Sequence, residues 1–207
     1  METSELIRPR RKTLPSSYKE VAAKGSYSVI FIVLAMIVLR PVMVDQMISR
    51  ADAYCAYGMY DDSKRQCNKA LLLDNGNSDA WCRLARIYHT EGDRDMAYAA
   101  YLRSTQADAT NKPPHFELAT MYLQDNLHRE AIPYFDQVRK LGPDKPLDLQ
   151  RGGFPYHKAS LDMLALCYEK VDDIAKAEFT LEEIRVFYPD YAKTDTRLSE
   201  LKERHKK

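Results

Sequence analysis

The stretch WCRLARIYHTEGDRDMAYAAY, Trp81–Tyr101, decides the fold. Ala85 and Tyr88 follow Trp81 at helical spacing, Gly92 interrupts, and Ala97 and Tyr101 resume the pattern. Apolar residues three and four apart on either side of a turn residue describe two short helices folded back on each other. A small residue on the first helix lets the second approach, and a large one on the second fills the space beyond.

The same pattern recurs along the chain. Segments beginning at Met47, Trp81 and His115 follow one another at a 34-residue period, and a fourth begins at Leu161, 12 residues later than the period requires. Four places in stand Ala51, Ala85, Ala119 and Ala165; seven places in stand Tyr54, Tyr88, Tyr122 and Tyr168. Sixteen places in come Ser63, Ala97, Ala131 and Ala177, and twenty places in come Cys67, Tyr101, Phe135 and Leu181. At the break between helices stand Gly58, Gly92, Asn126 and Asp172, all good turn residues. One helix pair cannot bury its own apolar stripe, so the pairs stack into a continuous core.

This recurrence resembles the tetratricopeptide repeat family, whose signature is a 34-residue helix–turn–helix period. The resemblance covers residues 44–191 and implies an all-α, right-handed α-solenoid of four helix pairs, about 44–77, 78–111, 112–145 and 158–191. The segment TDTRLSELKERHKK within 192–207 supplies a capping helix, with Leu198 and Leu201 as its narrow apolar stripe and Thr194 or Asp195 as N-cap. The extra residues, PLDLQRGGFPYH at 146–157, contain two prolines and a Gly–Gly pair and are expected to form an inserted loop without helix. Two readings apply to that loop. It is a tolerated surface insertion, or it reaches a groove or partner with Phe154 and Tyr156 as exposed anchors.

The resemblance also implies a binding groove lined by the first helix of each pair. The matching positions are Asp45, Ile48, Asp52 and Cys55 in repeat 1, and Asp79, Cys82, Arg83, Arg86 and His89 in repeat 2. Repeat 3 contributes Phe116, Glu117, Thr120, Leu123 and Gln124, and repeat 4 contributes Asp162, Leu166 and Glu169. This groove is acidic at its start, basic in repeat 2 and apolar in repeat 3. Members that clamp a chaperone's C-terminal carboxylate use Lys and Asn at places that here hold Ile48, Asp52, Cys82 and Arg86, so that ligand is not expected.

No glycine-rich phosphate loop, HExxH, GxSxG or EF-hand loop is present, so neither catalysis nor a cofactor is expected. The four cysteines, Cys55, Cys67, Cys82 and Cys167, lack CxxC spacing. The register brings Cys55, Cys82 and His89 onto one face, where small buried hydrophobes beside a histidine are the commoner outcome, and no metal is expected. Pairing of Cys67 with Cys55 or Cys82 is chemically permitted in an oxidising compartment.

The remaining signal is SYSVIFIVLAMIVLRPVMV, Ser26–Val44, which has 15 apolar residues of 19. It lacks the polar face of a soluble amphipathic helix, and no small-x-small cleavage site follows it. It is expected to be an uncleaved transmembrane signal anchor over 26–44, although its uninterrupted run, Val29–Leu39, is only 11 residues and Pro41 is expected to kink or end the helix. The tail 1–25 carries six basic and three acidic side chains, leaving 25 basic and 27 acidic for the rest. The basic tail places the N-terminus in the cytoplasm and the repeats across the membrane, which is the periplasm in a bacterium. A near-neutral body excludes an extended nucleic-acid surface, and no small-molecule substrate is expected.

These observations point to a membrane-tethered scaffold that docks a protein partner, itself part of a membrane-associated complex. The alternatives are a permanent structural subunit of a larger membrane assembly and a cytosol-facing anchored receptor.

Overall fold

The computed structural model describes residues 16–150, 152–191 and 193–205, and the side chains of 34–150, 152–191 and 193–204. Among the described residues the secondary structure is entirely helical. The helices are α1 (Ser16–Ala56), α2 (Tyr60–Leu73), α3 (Ser78–Glu91), α4 (Arg94–Ala107) and α5 (Lys112–Gln124). They continue with α6 (His128–Lys140), α7 (Pro146–Gln150), α8 (Tyr156–Lys170), α9 (Ile174–Phe187) and α10 (Lys193–His205). The chain divides into two compact units, Met1–Met43 and Val44–Lys207.

In the second unit the period becomes four helix pairs: the end of α1 with α2, α3 with α4, α5 with α6, and α8 with α9. The break between the helices of each pair is set by backbone conformation. Gly58, Gly92, Asn126 and Asp172 all lie in the left-handed region, at φ of 73°, 85°, 58° and 63°. Glycine adopts this at no steric cost, and Asn and Asp tolerate it better than other side chains. The residue after each break bonds back to its helix, as in Asp93 N–H to the Tyr88 carbonyl at 2.9 Å and Leu127 N–H to Tyr122 at 2.9 Å. Asp93 and Asp173 then accept from backbone N–H groups of the next helix, at Met96 and Lys176.

The four small residues of the first helices, Ala51, Ala85, Ala119 and Ala165, are buried against Ser63, Ala97, Ala131 and Ala177 of the second helices. Serine is accepted at the first of these places because the Ser63 hydroxyl donates to the Ala51 carbonyl at 2.7 Å. Cys67, Tyr101, Phe135 and Leu181 are fully buried beyond them. Each core joins one pair to the next. Phe135 of α6 packs with Ala119 of α5 and with Leu164 and Cys167 of α8. Leu161 and Leu181 share a cluster with Leu198 and Leu201, the apolar stripe of α10. Charged pairs also bridge successive repeats: Lys64–Glu91 at 2.8 Å, Arg94–Asp125 at 2.5 Å and Arg139–Glu183 at 3.1 Å.

Three local expectations are corrected. The insertion is not helix-free, because Pro146 opens α7, where a missing N–H is harmless, and the glycines follow the helix rather than interrupt it. The cap helix starts at Lys193, so Thr194 and Asp195 lie in its first turn instead of capping it. Helix α1 does not end at Pro41, which lies inside it.

The expected tail 1–25 and the first part of the expected anchor, 26–33, lie outside the residues whose side chains are described. Among the described residues no helix is long and apolar enough to cross a membrane. Arg40 and Pro41 lie within the part of the run whose side chains are described, 34–44. Within the first unit, Leu34, Met36, Ile37, Val38 and Leu39 are all exposed.

Candidate binding face on the first helices

The face begins with α1 and α3. Arg83 Nε lies 2.8 Å from Asp52 Oδ1, a charge contact between neighbouring repeats made outside hydrogen-bond geometry. One turn further along α3, Arg86 reaches repeat 3, where its Nη2 donates to Glu117 Oε1 at 3.1 Å. The same nitrogen donates to the Tyr156 hydroxyl at 3.0 Å, across 70 residues of sequence. Asp52, Cys55, Ser63, Arg83, Arg86 and Ile87 bound a cleft of about 220 Å³.

Beneath the face Cys82 and Tyr101 are buried. Burial pushes the Cys82 thiol up to about 12, so it stays protonated. Burial also raises the phenol of Tyr101, and its hydroxyl has no hydrogen bond of normal geometry. For Arg86, burial pulls the pKa down, but the net shift is upward, and the Glu117 carboxylate beside it keeps the guanidinium charged.

Repeat 3 supplies the apolar part. The Phe116 ring meets the core ring of Phe135 edge-on at 5.7 Å, Phe154 at 5.2 Å and Tyr156 at 5.6 Å. Phe154 and Tyr156 meet each other at 4.9 Å. The insertion therefore folds back onto the face. Phe154 is half-exposed, but Tyr156 is not an exposed anchor: it opens α8 and is half-buried. The insertion also walls a larger cleft of about 700 Å³, with Asp79, Lys112, Asp144, Leu149 and Phe154 among its lining.

The remaining residues expected on this face have varied surroundings. Ile48 is a core residue, packed with Val44, Ala51 and Leu84, because the register turns it inward. Cys82 is buried as well, while Asp45 is exposed and His89 and Leu166 are half-buried. Asp79 accepts from the Asn111 amide at 2.9 Å. Thr120 turns its hydroxyl to the Phe116 carbonyl of its own helix at 2.8 Å. Leu123 packs against the Phe135 cluster, and Gln124 accepts from Arg94 of the preceding repeat at 3.4 Å. In repeat 4, Asp162 and Glu169 are both engaged by Arg197 of α10, the second at 2.6 Å, so the cap covers that end of the face.

Arg197, Lys112 and Asp144 were not anticipated. Two acids seven residues apart on α8, on one helical face, were the signal for a basic partner in the cap. Lys112 and Asp144 carried no such signal, since they are 32 residues apart and meet only through the stacking of repeats. All four cysteines are free thiols. Among the described residues no three His, Cys, Asp or Glu side chains converge as metal ligands.

Residues 78–111 match the tetratricopeptide repeat family model. That match covers the second helix pair, the one containing the Trp81–Tyr101 stretch. The subunit CDC16 of the anaphase-promoting complex of Saccharomyces cerevisiae is 26% identical over 122 residues, 59% of this chain. The chain spans 14% of the length of that relative.

Solved structures share the fold. PilF of Pseudomonas aeruginosa superposes with a TM-score of 0.60 at 20% identity, over 80% of this chain and 71% of that one. YrrB, described as a TPR protein with an unusual peptide-binding site, gives 0.59 at 14% identity, over 77% and 76%. The Yersinia enterocolitica type III secretion chaperone SycD, in complex with a peptide of the translocator YopD, gives 0.51 at 21% identity, over 61% and 92%. The similarity establishes an all-helical solenoid of the tetratricopeptide type.

Proposed function

We propose that this chain is a protein-interaction scaffold that takes a partner segment along the first-helix face of repeats 1 to 3. The observation that carries this reading is the arrangement of that face. Arg83 and Arg86 line the smaller cleft, the Phe116 ring lies beyond them, and Arg197 closes the far end. A charged stretch followed by an aromatic platform suits an extended peptide, whose backbone and side chains are read separately. Two of the similar structures, YrrB and SycD, are peptide binders by description, which supports the same use here. Side chains on this face serve binding, and no reaction is assigned to them.

The tethering belongs to the same reading. The run 26–44 anchors the scaffold in a membrane, with the basic tail in the cytoplasm and the repeats on the far side, so the partner belongs to a complex at that membrane. The support is sequence hydropathy and the exposure of Leu34, Met36, Ile37, Val38 and Leu39.

Both halves are tested with the full chain. Carbonate extraction of membranes should leave the protein in the pellet, and deleting 26–44 should release it; release of the intact chain would remove the anchor. Affinity capture from mild detergent, read by mass spectrometry, should recover a partner that Phe116→Glu loses and Phe179→Glu, on an exposed part of α9, keeps. Equal loss from both variants would move the site off this face.

A further inference from the structure

The described residues of the insertion, 146–150 and 152–157, are held by specific contacts. At its base Asp144 Oδ2 accepts from the His157 N–H at 2.8 Å, and Asp144 Oδ1 accepts from Lys112 Nζ at 2.9 Å. At its turn Gly152 has φ of 83°, and Gly153 N–H donates to the Asp148 carbonyl at 2.9 Å. A Cβ on Gly153 would lie 2.7 Å from that carbonyl oxygen, so only glycine fits this approach. Pro155, at φ −79° and ψ 71°, forms an inverse γ-turn in which Tyr156 N–H donates to the Phe154 carbonyl at 2.9 Å. These features return the Phe154 side chain to Phe116.

The two aromatic residues are held differently. Tyr156 belongs to the first turn of α8, is half-buried, and accepts from Arg86. Phe154 is 49% exposed, and ring contacts with Phe116 and Tyr156 hold it. The base of the loop, at Asp144 and His157, does not depend on where the Phe154 ring lies.

We propose that the Phe116 ring, flanked by Tyr156, is a binding seat for an aromatic side chain on an extended segment, and that Phe154 occupies this seat in cis. Tyr156 and Arg86 are the fixed walls, and Phe154 is the exchangeable occupant. A partner engages repeat 3 by placing its own aromatic residue where Phe154 sits. This rests on the reading of the first-helix face as the binding face.

The test uses the full chain and a fluorescein-labelled peptide of residues 149–157, LQRGGFPYH, as the probe, read by fluorescence anisotropy. With Phe154→Ala the seat is vacant, and the peptide should bind at least about fivefold tighter than to the unaltered chain, the scale of a ring contact beyond simple burial. Adding Phe116→Ala to Phe154→Ala should abolish the gain, as should a peptide with alanine in place of its phenylalanine. Equal binding to Phe154→Ala and the unaltered chain, or binding to neither, overturns the proposal. Circular dichroism confirms that the half-exposed substitution leaves the fold intact. If the peptide result is negative while Phe116→Glu still loses the captured partner, the binding face stands and the occupied seat falls. If the peptide binds as expected while Phe116→Glu keeps that partner, the seat stands and the docking reading falls.

Discussion

Replacing Phe135 by alanine tests the view that one large residue of each second helix is a main contributor to the core that joins its repeat to the next. Phe135 is fully buried and lies between Ala119 of its own repeat and Leu164 and Cys167 of the next, with Phe116 edge-on at 5.7 Å. Its neighbours are helix-borne and cannot collapse into the space, so the loss combines transfer and cavity costs, about 3–5 kcal/mol. Against a typical total of about 5–15 kcal/mol this is a large share. In a domain of this size it lowers Tm by roughly 6–20 °C. The repeats are coupled only through neighbours, so the variant should also unfold less cooperatively, with a smaller urea dependence. The assay is urea and thermal unfolding followed by circular dichroism. Phe179→Ala is the control: that ring is 60% exposed, and its loss should cost within about 0.5 kcal/mol. A Phe135→Ala loss below about 1.5 kcal/mol, or an equal loss for Phe179→Ala, would refute the reasoning.

Three further outcomes are expected. Gly92→Ala forces a Cβ into a backbone at φ of 85° and should destabilise by about 1–2 kcal/mol in urea titration, although no atom lies within 4 Å of the added carbon. Acidification should also weaken the fold: burial, then Lys112, lowers the His157 pKa below its ordinary 6.5, against the opposing pull of Asp144. Burial lowers His115 too. The unfolded chain then binds protons first, so stability is full above about pH 6.5 and falls as pH drops below it; urea midpoints at pH 7.5 and 5.5 should show the fall, and His157→Gln should reduce it. In the native protein Cys67, Cys82 and Cys167 are buried and their thiols are raised to about 11, 12 and 11, so a thiol reagent at pH 8 should label Cys55 alone and all four only after denaturation.

The helix pairs were legible because their determinants are local and repeated. A left-handed turn residue, a small residue and a large residue recur at fixed offsets, so a chance match at one place is corrected by three others. Gly58, Gly92, Asn126 and Asp172 show this best, since four residues of three kinds meet one backbone requirement. Ile48 shows the limit: one position on a short helix separates the core face from the binding face, and the period does not resolve it. The insertion shows another limit: its prolines and Gly–Gly pair signal a break, yet Pro146 stands at a helix start.

The candidate face was only partly visible, because ligand-facing positions are exempt from the packing that makes the period. Arg86 with Tyr156, Lys112 with Asp144, and Arg197 with Asp162 are each separated by 30 residues or more and meet only after the repeats stack. By itself the sequence determined the repeating helix pair, because 3.6-residue periodicity and turn conformation are short-range. Only the tertiary structure decided that the insertion returns Phe154 to Phe116 and that the cap covers repeat 4, because those contacts depend on how successive pairs are placed in space.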